Sequence, residues 1–106
     1  MNDTLKRMLG IYPSVELGEI INQGATILDV RTKEEFSQGH IKGAINISLD
    51  KLPQNLSKLK GKDKAIIACC ASGMRSGSAK SFLSSNGFTN VHNGGSWFNL
   101  KRKYNL

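Results

Sequence analysis

Apolar positions along this chain change their spacing several times, and each change marks an element. After Pro13-Ser14, the residues Val15, Leu17, Ile20 and Ile21 fall on one side of a helix, with Ser14 placed to cap it and Gly24 to close it. Thr26-Ile27-Leu28-Asp29-Val30 is a short, nearly continuous apolar run and predicts a buried strand. Thr32-Lys33-Glu34-Glu35 has capping-box spacing and starts a second short helix through Phe36. Gly39-His40-Ile41 and Gly43-Ala44 make a turn-rich passage into an extended piece, Ile45-Asn46-Ile47. Leu52, Leu56 and Leu59 return at helical intervals until Gly61.

Residues 64–69 predict the next strand, and Ser76 to Asn86 a helix with Ala79, Phe82 and Leu83 on one face, stopped by Gly87. Thr89-Asn90-Val91 is a last short strand, after which Trp97, Phe98, Leu100 and Tyr104 can pack a final helix. Strands alternating with helices over so short a chain imply an α/β fold, a small open parallel sheet with helices on both faces. Such sheets bind ligands at the carboxyl ends of their strands. Asp29 and the pair Cys69-Cys70 both sit at strand ends, so they share that rim.

The 106 residues make one domain, 1–106, with residues 1–12 as an N-terminal helix or extension and residues 96–106 as a basic tail or helix. Apolar content of 39% and charged content of 22% are ordinary for a soluble globular protein. No apolar stretch reaches membrane-spanning length, and the first ten residues contain no signal-like apolar region. A cytoplasmic protein without a membrane partner is the expectation. Net charge is +7, much of it from Lys6, Arg7, Lys101, Arg102 and Lys103 near the two ends. Solvated termini explain this, as does a positive field that draws in small anions or an acidic partner. Stacking aromatics are not interleaved with the basic residues, so nucleic acid is not an expected partner.

Adjacent cysteines cannot staple a fold, because neighbouring residues close only a strained ring. With His40 and His92 the only histidines and no Cys-x-x-Cys spacing, a metal site is not expected either. A working thiol remains. Ala68-Cys69-Cys70-Ala71-Ser72-Gly73-Met74-Arg75-Ser76 follows the apolar run Ala65-Ile66-Ile67 and leads into a helix. A thiol at a strand mouth, a Gly-containing loop and an Arg at a helix start make an anion cradle that favours thiolate. Which of the two cysteines is the nucleophile depends on the register of the loop.

Two blocks resemble the rhodanese family of sulfurtransferases. The first runs from Ile27-Leu28-Asp29-Val30-Arg31-Thr32 through Glu35-Phe36, Gly39-His40-Ile41, Gly43-Ala44 and Asn46-Ile47. The second is Cys70-Ala71-Ser72-Gly73-Met74-Arg75-Ser76 with Ala79, Leu83, Gly87-Phe88 and Val91 behind it. Gly94-Gly95 with Trp97 forms a weaker third block, compressed by having only Ser96 between Gly95 and Trp97. The resemblance implies a rhodanese-like sheet of about four to five strands with the active loop between a strand and a helix. It makes Cys70 the nucleophile and Ala71, Ser72, Gly73, Met74, Arg75 and Ser76 the substrate-binding loop. Cys69 becomes a small packed hydrophobe at the strand end.

The chemistry implied is transfer of a sulfane sulfur, from an anionic donor such as thiosulfate, through a persulfide on Cys70 to cyanide, a thiol or a thioredoxin-like acceptor. No cofactor or metal is needed. Position 71 is Ala, whereas thiosulfate-preferring relatives often carry further basic residues in this loop. Arg75 either holds the donor's oxygens or braces the loop. Ser72 and Ser76 read as loop-turn and helix-cap residues. Asp29, Arg31, Glu35 and His40 are supporting residues: Asp29 fixing loops, Arg31 pairing with Glu35, and His40 in a structural hydrogen bond rather than as a general base. His92 falls between surface and rim, and Trp97 and Phe98 read as core or pocket wall.

Counted from Cys69, the same residues spell Cys69-x5-Arg75-Ser76, the spacing of the loop in cysteine phosphatases and arsenate reductases. That longer loop has room for a tetrahedral oxyanion. Ala68 stands where many such loops have His, and no Asp general acid is identifiable. A third reading is a non-catalytic rhodanese-like binding module, which would form no persulfide and turn over no donor.

Overall fold

The computed structural model describes residues 16–59 and 61–106. The expected cap at Ser14 and the extension over residues 1–12 lie outside the described residues. Helix α1 spans Leu17–Asn22, and its cap is Glu16, whose carboxylate accepts the Gly18 N–H at 2.9 Å. Strand β1 is Thr26–Asp29, followed by helix α2, Lys33–Ser37. The capping box of α2 forms as read, with Thr32 and Glu35 exchanging side-chain and backbone bonds.

Strand β2 is only Ile45–Asn46, and the leucines behind it lie on a 3₁₀ helix, Leu49–Lys58, kinked at Asn55. Pro53 inside that segment removes an amide donor, which suits short 3₁₀ turns better than a continuous α-helix. Strand β3 is Ile66–Cys70, helix α3 is Met74–Ser85, strand β4 is Val91–Ser96 and helix α4 is Trp97–Tyr104. Two expectations need correction here. Helix α3 begins two residues before Ser76, and the last strand is not Thr89–Val91 but continues to Ser96.

The four strands are all parallel, in the order β2-β1-β3-β4. Strand β3 is buried at every position, which explains its unbroken apolar run Ile66-Ile67-Ala68-Cys69-Cys70. Alternation sends Ile66, Ala68 and Cys70 to one face, where they meet Leu28, Val30, Leu52, Ala79, Leu83 and Phe88. Ile67 and Cys69 point to the other, with Ile41 and Leu100 and the flanking Leu17, Ile20, Trp97 and Tyr104. Helix α3 and the 3₁₀ helix therefore cover one face, and α1 and α4 the other. Each large aliphatic side chain so buried contributes about 1.5–3 kcal/mol. Among the described residues no helix is long and apolar enough to cross a membrane.

Strand β4 carries a bulge. Ala68 pairs with Asn93 but Cys69 pairs with Gly95, so Gly94 has no partner on β3. A Cβ on Gly94 would lie 2.7 Å from Ile67 Cγ2 and 3.1 Å from both the Ala68 carbonyl oxygen and Leu100 Cδ2. Gly94→Ala is expected to destabilise the fold by about 1–3 kcal/mol through this overpacking. Chemical denaturation would measure the shift, and a neutral result would mean that the sheet and α4 sit farther apart than described.

Candidate active site

Cys70 ends β3, and the chain then turns sharply into α3. Gly73 makes the turn possible: it caps α3 with φ of 101° and ψ of −8°, a left-handed conformation that side chains resist. With the turn made, the first amides of α3 face back toward the strand end. The Gly73 N–H donates to Cys70 Sγ at 3.0 Å and the Ser76 N–H at 3.4 Å, while Ser76 Oγ lies 3.4 Å from the same sulfur. These are orphan donors of a helix start, aimed at one atom.

The balance at Cys70 favours thiolate. Burial acts most strongly and pushes the thiol up, but the Ser76 hydroxyl and the Ser76, Gly73 and Ser72 amides together outweigh it and hold the pKa below its ordinary value. Cys70 shows 0% exposure, whereas Ala71 and Ser72 are exposed and Met74 is 80% exposed. The loop thus roofs the sulfur. Ser76 does not cap the helix as its sequence position implied. It is buried within α3, and its hydroxyl donates to Asn93 Oδ1 at 2.6 Å.

Cys69 has a different environment although it is the next residue. It faces the opposite side of β3, against Ile41, Ile67 and Leu100. Burial, followed by the nearby Asp29 charge, pushes its thiol up to about 12. A Cys69-x5-Arg75 loop would have to begin from a sulfur that faces away from it. Cys69 packs as a small hydrophobe, one position before the strand end rather than at it.

The expected side-chain pair of Arg31 with Glu35 is not formed. Arg31 instead pairs with Asp29, with Nη2 to Oδ2 at 2.7 Å and Nε to Oδ1 at 3.0 Å, both residues buried. Its remaining reach goes to backbone: Nη2 donates to the Gly39 carbonyl at 2.7 Å and Nη1 to the Glu35 carbonyl at 3.3 Å. The guanidinium also lies 4.5 Å from the Trp97 ring centre. The Glu35 carboxylate is left for Arg75, which grips it with both nitrogens at 2.6 and 2.9 Å. The Arg75 bond, followed by the Thr32 amide, holds Glu35 down at about 2, and the same pairing raises Arg75. In this arrangement Arg75 braces the loop.

His40 is exposed, stacked on Phe36 at 3.7 Å, with Nδ1 2.7 Å from the Phe36 carbonyl, the structural bond expected of it. Half-buried His92 contacts Asn90 Oδ1 at 2.8 Å, and burial and Lys80 keep its pKa low. Trp97 packs on the α4 side as core wall, but Phe98 is 50% exposed. Two residues that sequence reading passed over belong to the site's framework. Asn46 Nδ2 donates to the Asp29 and Arg31 carbonyls at 3.0 and 2.9 Å. Asn93 donates to the Gly73 carbonyl at 3.1 Å and accepts from Ser76. A polar residue directly before Gly94-Gly95, opposite the loop, was the available signal for Asn93. A separate cleft of about 620 Å³ beside the end of β2 is lined by Lys33, Asn46, Lys51 and Lys58 among others, and does not include Cys70.

Comparison with known proteins places this geometry in a family. A family model described as a rhodanese-like domain matches residues 14–102. The thiosulfate sulfurtransferase PspE of Escherichia coli (strain K12) is 38% identical over 69 residues, covering 64% of this chain and 66% of PspE, just under two thirds of its length. The thiosulfate sulfurtransferase GlpE of Stutzerimonas stutzeri (strain A1501) is 33% identical over 81 residues, covering 76% of this chain and 73% of GlpE. The crystal structure of a rhodanese-related protein from Thermoplasma volcanium superposes with a TM-score of 0.70 at 31% identity, covering 87% of this chain and 93% of that one. With a family model spanning most of its length and relatives alike in both sequence and fold, this chain belongs to the rhodanese-like domain family.

Proposed function

We propose that the chain is a sulfurtransferase that carries a sulfane sulfur as a persulfide on Cys70. The observation that supports this reading best is the convergence of the Gly73 and Ser76 donors on Cys70 Sγ, beside a second cysteine that faces apolar side chains across the sheet. The names borne by PspE and GlpE agree with it. In the first half-reaction the Cys70 thiolate attacks the outer sulfur of thiosulfate. A sulfur–sulfur bond forms at Cys70, the donor's own sulfur–sulfur bond breaks, and sulfite leaves with the electron pair. In the second, a thiolate or cyanide attacks the terminal persulfide sulfur, and Cys70 departs as thiolate, ready for the next donor.

The loop donors stabilise anionic sulfur in the same way that an oxyanion hole stabilises oxygen. Arg75 serves the reaction by holding the loop on Glu35, and the positive net charge of +7 steers anionic donors toward the protein.

Intact-protein mass spectrometry after thiosulfate treatment is the direct test. A gain of one sulfur is expected in the wild type and in Cys69→Ser and none in Cys70→Ser, whose transfer to cyanide falls to background. Sulfur loading lost only in Cys69→Ser, or aryl phosphate turnover dependent on Cys69, would select the longer-loop phosphatase instead.

The Glu35 clamp yields a second expectation. Glu35 titrates at about 2 in the folded chain against an ordinary 4.5, so its stabilisation is complete above about 4.5 and is lost as pH falls toward 2. Wild-type stability should therefore fall more steeply than that of Glu35→Gln across this window. The difference should shrink in high salt, since both side chains of the pair are 36% exposed. At neutral pH, Glu35→Gln frees Arg75 and should lower sulfur transfer by about ten- to a hundredfold through misplacement of the loop. Parallel pH profiles, or unchanged turnover, would remove the clamp from the mechanism.

A further inference from the structure

The hydrogen bonds around Ser76 require more protons than its hydroxyl has. A serine hydroxyl carries a single proton and can donate it once. Ser76 Oγ lies 2.6 Å from Asn93 Oδ1 and 3.4 Å from Cys70 Sγ, so two acceptors compete for that proton whenever the sulfur is charged.

The orientation of the Asn93 amide is not arbitrary. Its Oδ1 also accepts the Gly95 N–H at 2.9 Å, and its Nδ2 donates to the Gly73 carbonyl at 3.1 Å. Turning the amide over would set NH₂ against N–H and oxygen against carbonyl, so Oδ1 must be the atom facing Ser76. While Cys70 is a thiol, the hydroxyl gives its proton to Asn93 and offers a lone pair to the S–H. Once the sulfur is a thiolate, a hydroxyl still bound to Asn93 presents only a lone pair to a negative charge. Rotation about the Cβ–Oγ bond delivers the proton to sulfur instead. That rotation does not orphan Asn93, because Gly95 still donates to Oδ1.

We propose that Asn93 is a positioning residue for Cys70, holding the Ser76 proton while the sulfur is protonated and yielding it when the sulfur becomes charged. The role of Cys70 as the reacting thiol comes from the sulfurtransferase reading above. The proton count around Ser76 comes from the geometry alone. Ionisation of Cys70 thus exchanges a short bond to Asn93 for a charge-assisted bond to sulfur. Asn93 keeps the resting thiol from being stabilised as anion as fully as the loop allows. When the negative charge leaves Sγ for the terminal sulfur of a persulfide, the hydroxyl can turn back to Asn93.

Other charged groups on the elements packed against β3 are already accounted for. Asp29 is paired with Arg31 on the β1 side, and Glu35 with Arg75 between α2 and α3. His92 on β4 is part-buried near Lys80 of α3, and burial, followed by that charge, lowers its pKa. A substitution at Asn93, which is exposed, alters none of these pairs and empties no core position.

The test is the pH dependence of Cys70 alkylation by iodoacetamide, in a Cys69→Ala background so that one thiol reports. Asn93→Ala removes the competing acceptor, so its alkylation midpoint should fall by about half a unit to one unit. In a Ser76→Ala background the same substitution should produce no such fall. A residue that merely held the loop through Gly73 would give the opposite sign, because loosening would draw the Gly73 and Ser76 amides off the sulfur. A raised or unchanged midpoint overturns the proposal, as does an equal fall with and without the Ser76 hydroxyl. Failure of thiosulfate to load sulfur onto the wild type would refute the sulfurtransferase reading and leave this titration result standing.

Discussion

A guanidinium taken out of water must find partners for its donors, and Arg31 does so by drawing separate segments of the chain around itself. Asp29 at the end of β1 supplies the counter-charge, the Gly39 and Glu35 carbonyls take further donors, and Trp97 lies against the ring plane. Removing one member of such a buried pair typically costs about 3–5 kcal/mol, because the other charge is stranded. The consequence for function is one of placement. By fixing the backbone of α2 through the Glu35 carbonyl, Arg31 sets where the Glu35 carboxylate points, and that carboxylate anchors Arg75 on the loop around Cys70. A buried ion pair at the end of the first strand thus bears on a loop that follows the third.

Strand alternation does the rest. Successive residues of β3 face opposite sides of the sheet, so two chemically identical neighbours receive opposite fates. Cys70 meets the amides of α3, which lower its pKa, while Cys69 is enclosed by apolar side chains that raise its own. The register of one strand thus decides which of the two thiols meets the Ser76 and Gly73 donors. A one-residue slip would exchange their roles and force both buried faces of β3 to repack.

Much of this was legible in the chain itself. Unbroken apolar runs marked β1 and β3, the Thr32–Glu35 spacing marked α2, and the residues after Cys70 marked the loop. What stayed hidden has a common physical origin. Arg31 lies four residues before Glu35, which suggests a local pair, yet burial of Asp29 made it the stronger partner and released Glu35 for a contact 40 positions away. The start of α3 depends on the left-handed turn at Gly73, not on a side-chain cap, so Ser76 drew attention to the wrong position. Strand β4 starts two residues later and ends five residues later than Thr89-Asn90-Val91 suggests, because Gly94-Gly95 looks like a turn when it is a bulge. Asn93 reaches the site through bonds to Gly73 and Ser76, 20 and 17 positions away, and apart from its place before Gly94-Gly95 no local spacing announces such a residue.

The bulge at Gly94 has one further consequence, for the boundary of the sheet. Among the described residues the outermost strands are β2 and β4, and an outermost strand offers unpaired backbone groups to any other chain in the same state. Here one rim consists of two residues, and the other is interrupted at Gly94 and followed by Gly95 at φ of 76°. Neither presents the long, flat ladder on which a foreign strand could lengthen the sheet. The irregularity that directly follows Asn93 is also a guard against edge-to-edge aggregation.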